Sequence, residues 1–290
     1  GGLVIAIMMR ELRTYFQTPI GYIFMGLFLL VSGFFFTFGN LVSGSSYFTS
    51  FLQSILFLYL FAVPLLTMRL ISEERRQRTD QLLLTSPITV TDIVLGKFFA
   101  AFIVYLLTLV VTALYAIVVA IFGDLAVWQT VGGYIGFALL GASFISVGVL
   151  VSAVSENQVS SAFFTFFALL LIWFLNLVKS VAPTDPVSST VFAAAIAIGL
   201  AGFFYANTRS WITAGAVTLL GAATIVVLHL VQPGVFNGLI VEVLDWFSLL
   251  ERFDAFTLGV IELEEVVFYL SFTSIFLFVT VRMIEKRRWA

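Results

Sequence analysis

The chain has 290 residues, of which 61% are hydrophobic and only 10% are charged, and its mean hydropathy is +1.12. Soluble proteins carry about 25% charged residues, so these 14 basic and 16 acidic side chains are too few to cover a water-soluble surface of this size. The net charge of -2 and the lack of cysteine further exclude the concentrated basic surface of a nucleic-acid binder and any thiolate site. The composition therefore predicts a polytopic membrane protein.

Residues 1–19 have the pattern of an amphipathic helix that lies in the plane of the membrane interface. Apolar residues recur along one side at helical spacing: Ile5, Met8, Met9, Leu12 and Phe16. Charged residues occupy the other side: Arg10, Glu11 and Arg13. Pro19 then breaks the helix before the first membrane span. The alternative interpretation is a ragged extension of that span.

A membrane-spanning helix needs about 20 apolar residues, and stretches of this kind predict eight spans in the sequence. We assign spans one and two to residues 20–71, spans three to five to 96–180, an extra pair to 186–231, and the last span with a basic tail to 266–290. If both termini are cytoplasmic, only Lys179 and Arg252 of the 14 basic residues lie on the outer side, as the positive-inside rule favours. A re-entrant pair is the alternative for the extra spans.

The cytoplasmic segment 72–95 is the most informative part of the chain outside the spans. The acidic residues after Ser72 can begin a helix, because negative charge stabilises the first turn. Basic residues follow, and then three consecutive leucines at positions 82–84. Residues 89–92 have the spacing of a capping box and predict the start of the next long helix. Leucines in a charged loop need either the bilayer surface or a protein groove to cover them.

Residues 232–265 form an acidic segment on the predicted outer side, with Arg252 as its single basic residue. Apolar residues between positions 241 and 253 keep helical spacing, so we expect short amphipathic or re-entrant helices there. Two interpretations of the acidic residues stay open, namely a solvated face and a vestibule that attracts cations.

The sequence lacks the motifs of an enzyme. Gly96 and Lys97 are followed by Phe98 and lack the earlier glycine of a phosphate-binding loop. The chain is therefore not expected to hydrolyse ATP, or to hold a cofactor or metal, by itself. Ionisable residues are nearly absent from the spans, apart from His229 near the end of one, which disfavours an ion-coupled carrier. Any driving energy is expected to come from another subunit.

Several of these segments together resemble the permease subunits of type-2 ATP-binding cassette (ABC-2) exporters, most closely the gliding-motility-associated permeases. Within the cytoplasmic segment the resemblance is carried by residues 69–75, 82–87 and 93–98. Other motifs follow in the expected order along the chain: residues 10–22, 155–158, 253–261 and 269–271. Residues 186–232 depart from the pattern, because these permeases have six spans.

The resemblance implies an all-α fold of six core transmembrane helices plus the extra pair, with an N-terminal elbow helix and a cytoplasmic coupling helix. The elbow residues would be Arg10, Glu11, Arg13 and Phe16. The interface with the ATPase would consist of Glu73, Glu74, Arg75, Arg76, Thr79, Leu82, Leu83, Leu84, Thr85, Ser86 and Pro87.

The resemblance also implies partners and a function. A separate ABC ATPase in two copies would bind ATP and Mg²⁺, and a second permease, identical or a sister chain, would complete the transporter among the lipids of the cytoplasmic membrane. Residues 186–231 would be the place for an accessory subunit. The expected function is ATP-driven export of a substrate. The alternative is a non-transporting membrane anchor or mechanical transmitter coupled to the same ATPase.

Overall fold

The computed structural model describes residues 2–76, 89–208 and 211–288, and every element in these ranges is a helix. The chain divides into two compact units. The core unit consists of Gly1–Ile172 and Leu249–Ala290, and the second unit is Trp173–Ser248. We describe each unit separately.

The core unit begins with the predicted amphipathic helix and the first span. Helix α1 covers Gly2–Gln17, and α2 covers Pro19–Phe36 with a π-helical continuation over Thr37–Val42. The proline stands at the first position of α2, where its missing N–H costs no hydrogen bond. In the turn that follows, the Asn40 side chain donates to the Ser45 carbonyl at 2.9 Å. This contact holds the turn between spans one and two where the sequence predicts it.

The second span is interrupted. It consists of α3 (Phe48–Ser54), a 3-10 turn (Leu56–Leu58) and α4 (Tyr59–Thr67), and the short helix α5 (Ser72–Arg76) follows. Pro64 lies inside α4 and has no N–H to donate the backbone hydrogen bond that the other residues of a helix interior donate. The predicted helix start after Ser72 is confirmed by α5.

Four long helices complete the spans of the core unit: α6 (Val90–Phe122), α7 (Val127–Val154), α8 (Gln158–Val181), which continues into the second unit, and the last helix (Leu263–Arg288). The Asp92 amide donates to Thr89 Oγ1 at 3.1 Å, so the predicted cap of the third span is confirmed. Helix α6 therefore begins about two turns before the apolar stretch that the sequence assigns to this span.

Helix α7 lies at the centre of the core unit, and its small residues admit large neighbours. A Cβ atom on Gly141 would lie 2.4 Å from the Tyr105 ring, so the ring needs the glycine. Tyr105 and Tyr59 approach each other with their hydroxyls 2.6 Å apart, and both hydroxyls lie 2.7 Å from the Phe137 carbonyl oxygen. The two tyrosine hydroxyls are thus hydrogen-bonded inside the apolar bundle, to each other and to this carbonyl.

The second unit contains two apolar helices packed as a hairpin, α9 (Pro186–Thr208) and α10 (Trp211–Val231). A 3-10 turn (Pro233–Phe236) and the short helix α11 (Leu239–Phe247) follow. Within this unit Lys179 forms an ion pair with Asp245. The predicted short helices of segment 232–265 are confirmed by α11 and by α12 (Leu249–Thr257), which belongs to the core unit.

Helix α12 combines buried aromatic residues with charged residues near the surface. Its Phe253 and Phe256 are fully buried in the core unit, and the Asp254 carboxylate accepts a hydrogen bond from Gln53 at 3.1 Å. Arg252 pairs with Glu265 at 2.7 Å. Two aromatic rings therefore anchor α12 in the core unit, while the Asp254 side chain itself is exposed, so the solvated face and the cation-attracting vestibule both stay open for the acidic residues.

Within the described ranges, six helices are long and apolar enough to cross a membrane: Pro19–Val42, Phe48–Glu74, Val90–Phe122, Val127–Val154, Gln158–Val181 and Leu263–Lys286. The last of these lies in helix α13 (Leu263–Arg288). The predicted fold class, an all-α polytopic membrane protein with six core transmembrane helices, is confirmed. Among the described residues of the extra pair, the apolar helices Pro186–Gly202 and Gly215–Val231 are shorter, so two additional crossings stay a prediction.

Candidate functional site

Four charged side chains from three helices meet at one end of the core unit, and we call them the charge junction: Arg10 and Glu11 of α1, Glu74 of α5, and Lys97 of α6. The Lys97 ammonium lies 3.0 Å from Glu11 and 2.9 Å from Glu74. The Arg10 guanidinium lies 2.8 Å and 3.3 Å from the same two carboxylate oxygens. Each carboxylate therefore places one oxygen between two cations, and the four charges sum to zero.

The two cations of the charge junction differ in burial. Only 2% of the Lys97 side chain is exposed, against 54% of Arg10, while Glu11 and Glu74 are 14% and 19% exposed. A buried ammonium is costly unless it is paired, so the two carboxylates are what permits Lys97 to lie inside the protein. Lys97 thus acts as the inner bridge of the junction and Arg10 as its solvent-facing side.

Glu11 is ionised in this setting. Burial raises the pKa of Glu11, but the charges of Lys97 and Arg10 and the hydrogen bonds that they donate lower it by more, so its pKa lies below the ordinary value of 4.5. Glu11 therefore carries its negative charge at neutral pH.

The elbow helix reaches the junction because a glycine lets it approach α6. A Cβ atom on Gly96 would lie 2.8 Å from Ile7 Cβ and 3.1 Å from the Val4 carbonyl oxygen. Lys97 follows this glycine directly, so the same contact brings it to Glu11, one turn after Ile7 on α1. The Tyr15 hydroxyl, a further turn along, donates to the Leu66 carbonyl of α4 at 2.5 Å. Ile7, Glu11 and Tyr15 thus form the inward face of α1.

Helix α5 is also fixed on its other side. Ser152 Oγ at the end of α7 accepts the backbone N–H groups of Ile71 and Ser72 at 3.1 and 3.2 Å. The Gln158 amide at the start of α8 donates to the Glu73 carboxylate. The start of segment 72–95 is therefore bonded to the elbow helix, to span three, and to the turn between spans four and five.

The structure places the predicted site residues as follows. It brings Glu73, Glu74, Arg10 and Glu11 together around α5, and Arg75 lies on the same helix. Arg76 and Arg13 are exposed. The half-exposed Phe16 contacts Tyr22. The remaining residues of the predicted ATPase interface lie outside the described residues: Thr79, Leu82, Leu83, Leu84, Thr85, Ser86 and Pro87. The three charged residues of the predicted polar side differ in their surroundings: Arg10 and Arg13 are exposed, whereas Glu11 points into the protein and pairs with Lys97.

Lys97 and Gln158 lie in motifs that carry the resemblance, at 93–98 and 155–158, but neither was predicted as a site residue. Lys97 otherwise marked the beginning of the third span. A signal was nevertheless present in the sequence, because the apolar residues at positions 93, 100, 101 and 104 share one helical face with the lysine. A charge on an otherwise apolar stripe predicts a buried ion pair.

An apolar groove of about 610 Å³ opens between α4 and α8 in the core unit. It is lined by Phe61, Pro64, Met68, Phe163 and Phe167 among others. Phe163 and Phe167 are also exposed, which is typical of a surface that faces lipid or another protein.

The fold and the charge junction define a multi-pass helical membrane protein whose connecting segment between spans two and three is bonded to three neighbouring elements. Residues 40–231 match the family described as ABC-2 family transporter protein, and this range is well over half of the chain. The chain belongs to this family and is a permease component of an ABC transporter. The match runs through residues 186–231, which the sequence patterns treat as an addition to the family. Comparison with curated proteins gave no match.

Proposed function

We propose that this permease is the membrane subunit of an ATP-driven exporter and that the charge junction transmits motion from a separate ATPase to the spans. The observation that carries the proposal is the position of Glu74. It lies at the start of the segment that contains the predicted ATPase contact, and it shares Lys97 with Glu11. The junction therefore joins that segment to the elbow helix and to span three through one buried cation.

The geometry supports a direct mechanical route. Helix α5 follows the second span after a short turn and α6 begins the third, so displacement of the segment between them acts on both. Separating Glu74 from Lys97 would leave a buried charge poorly compensated, which is costly. The route of lowest cost is for Lys97 and Glu11 to move with Glu74, so that span three and the elbow helix follow the segment.

The proposed assembly has two ATPase subunits, which bind ATP and Mg²⁺, and a second permease, identical or a sister chain. The leucines at positions 82–84 would seat in a groove of the ATPase, because leucines in a charged loop need cover. The groove between α4 and α8 offers an apolar surface for the second permease or for an amphipathic cargo.

We place both termini in the cytoplasm, as the basic residues favour, and an accessory subunit at residues 186–231. The motifs quoted above support a gliding-motility-associated subfamily.

Replacement of the leucines tests the ATPase contact. The complex is purified through a tag on the permease carrying Leu83→Asp and Leu84→Asp, and the ATPase is quantified. Leu258→Asp is the matched control, because Leu258 is an exposed leucine of the core unit that lies on the predicted outer side of the membrane. We expect loss of the ATPase with the double variant and retention with the control. Retention with both would contradict the docking role.

Reconstitution separates export from mechanical transmission. An exporter moves cargo across the proteoliposome membrane only when ATP is hydrolysed. The anchor or mechanical transmitter keeps ATPase activity that depends on the permease, but it moves none of the candidate cargoes.

A further inference from the structure

A second groove lies in the core unit between the beginning of α6 and the end of α13. Its volume is about 340 Å³. It is lined by Thr91 and Leu95 of α6 and by Leu277, Phe278, Val281 and Arg282 of α13. The proposed coupling route uses none of these residues.

The groove has the form of an acyl-chain site. Leu277 and Val281 make a buried apolar floor, and the exposed Phe278 ring stands beside it. The lining on α13 runs from Ser274 to Glu285, which at 1.5 Å per residue is a length of about 16 Å. An extended hydrocarbon chain can lie along the apolar part of a groove of this length, and the helix is one that can cross the membrane.

Basic residues outnumber acidic ones at the end of α13, where Arg282 and positions 286–288 stand against Glu285. The Arg282 guanidinium lies 5.0 Å from the centre of the Phe278 ring and 3.2 Å from Glu285, and 65% of its side chain is exposed. An exposed ion pair of this kind contributes little, so an anion can compete with Glu285 for the guanidinium. The other nearby carboxylate, Asp92, accepts a hydrogen bond from Thr89 at 2.6 Å. Further basic residues follow in the sequence at positions 286–288.

We propose that this groove binds one anionic phospholipid, with an acyl chain along Leu95, Leu277 and Val281 and the headgroup phosphate on Arg282. Basic residues directly after a transmembrane helix attract anionic headgroups, and an aromatic-backed arginine is a suitable phosphate ligand. The proposal goes beyond the coupling role. It requires only that this end of α13 lies at a membrane surface, and its test involves no ATPase.

The test measures lipid retention on the purified full chain by native mass spectrometry. Phosphatidylglycerol and phosphatidylcholine with identical acyl chains are titrated separately. We expect phosphatidylglycerol to be retained at about fivefold lower concentration than phosphatidylcholine. Arg282→Gln should abolish this preference, and it should fold normally because the side chain is mostly exposed. Arg13→Gln, which removes another exposed positive charge, should leave the preference unchanged.

A second variant addresses the groove itself. Leu95→Trp fills the acyl channel and should weaken retention of both lipids while size-exclusion behaviour and helical content stay as in the wild type. Equal retention of the two lipids by the wild type would overturn the proposal. So would equal effects of Arg282→Gln and Arg13→Gln, or wild-type retention by a folded Leu95→Trp variant.

Discussion

Replacing Lys97 by methionine tests the structural role of the charge junction. Methionine preserves most of the length and apolar character of the lysine stem, so the substitution removes mainly the buried positive charge. Glu11 then faces Arg10 across a site in which only 14% of the glutamate side chain is exposed. Because Lys97 lies on α6 and Glu11 on α1, the elbow helix should lose an important part of its attachment.

The magnitude follows from the burial of the two cations. Removing one partner of a buried ion pair costs about 3–5 kcal/mol. We expect the lower end, about 3 kcal/mol, because Arg10 still contacts Glu11 at 2.8 Å. Arg10→Gln is the matched control. Its side chain is 54% exposed, and exposed pairs contribute about 0–1 kcal/mol.

Hydrogen exchange of the α1 amides is the appropriate assay, since it reports local opening of this helix. A loss of about 3 kcal/mol corresponds to exchange faster by about 100-fold in Lys97→Met, whereas Arg10→Gln should change the rate by about fivefold at most. Equal and small effects of the two substitutions would refute the assignment of Lys97 as the inner bridge.

Two further predictions concern the same contact. Glu11 has a lowered pKa in the folded protein, so its ionised form adds stability above pH 4.5, and this contribution is lost as the pH falls through the native pKa. Thermal unfolding measured between pH 7 and pH 3 should therefore show a smaller acid-induced loss of stability in Glu11→Gln than in the wild type. Gly96→Ala should reduce the free energy of unfolding by about 1–3 kcal/mol, because its methyl group would overpack against Ile7, and so lower the melting temperature. Gly26→Ala, whose Cβ would meet nothing within 4 Å, should be neutral or slightly stabilising. Equal melting temperatures for these two glycine variants would contradict the close packing of α1 on α6.

The spans could be predicted from the sequence because hydrocarbon admits few charges, so charge-free stretches show where helices cross. The start of α6 was also predictable, since a cap is a local interaction between Thr89 and Asp92. The interruption of the second span at Ile55 was not, because that position carries neither glycine nor proline. Its unusual backbone angles depend on packing between helices rather than on local sequence.

The charge junction shows the same limit for the site. The sequence indicated Arg10, Glu11 and Glu74 separately, on an elbow helix and on a cytoplasmic segment. Lys97 joins them only in the folded chain, 86 positions away from Glu11. The rule that charges mark the ends of spans classed this lysine as a boundary residue. Its carboxylate partners came from two other helices, and no local pattern connects those helices.

Permease-dependent stimulation of the ATPase, measured in the reconstituted complex, tests the central claim most directly. We predict that Lys97→Met and Glu74→Gln bind the ATPase at wild-type stoichiometry but lose most of the stimulation, because the segment still docks while its link to span three is broken. Arg10→Gln should retain the stimulation. Wild-type stimulation by a folded, fully assembled Lys97→Met complex would contradict the claim that the charge junction carries the coupling.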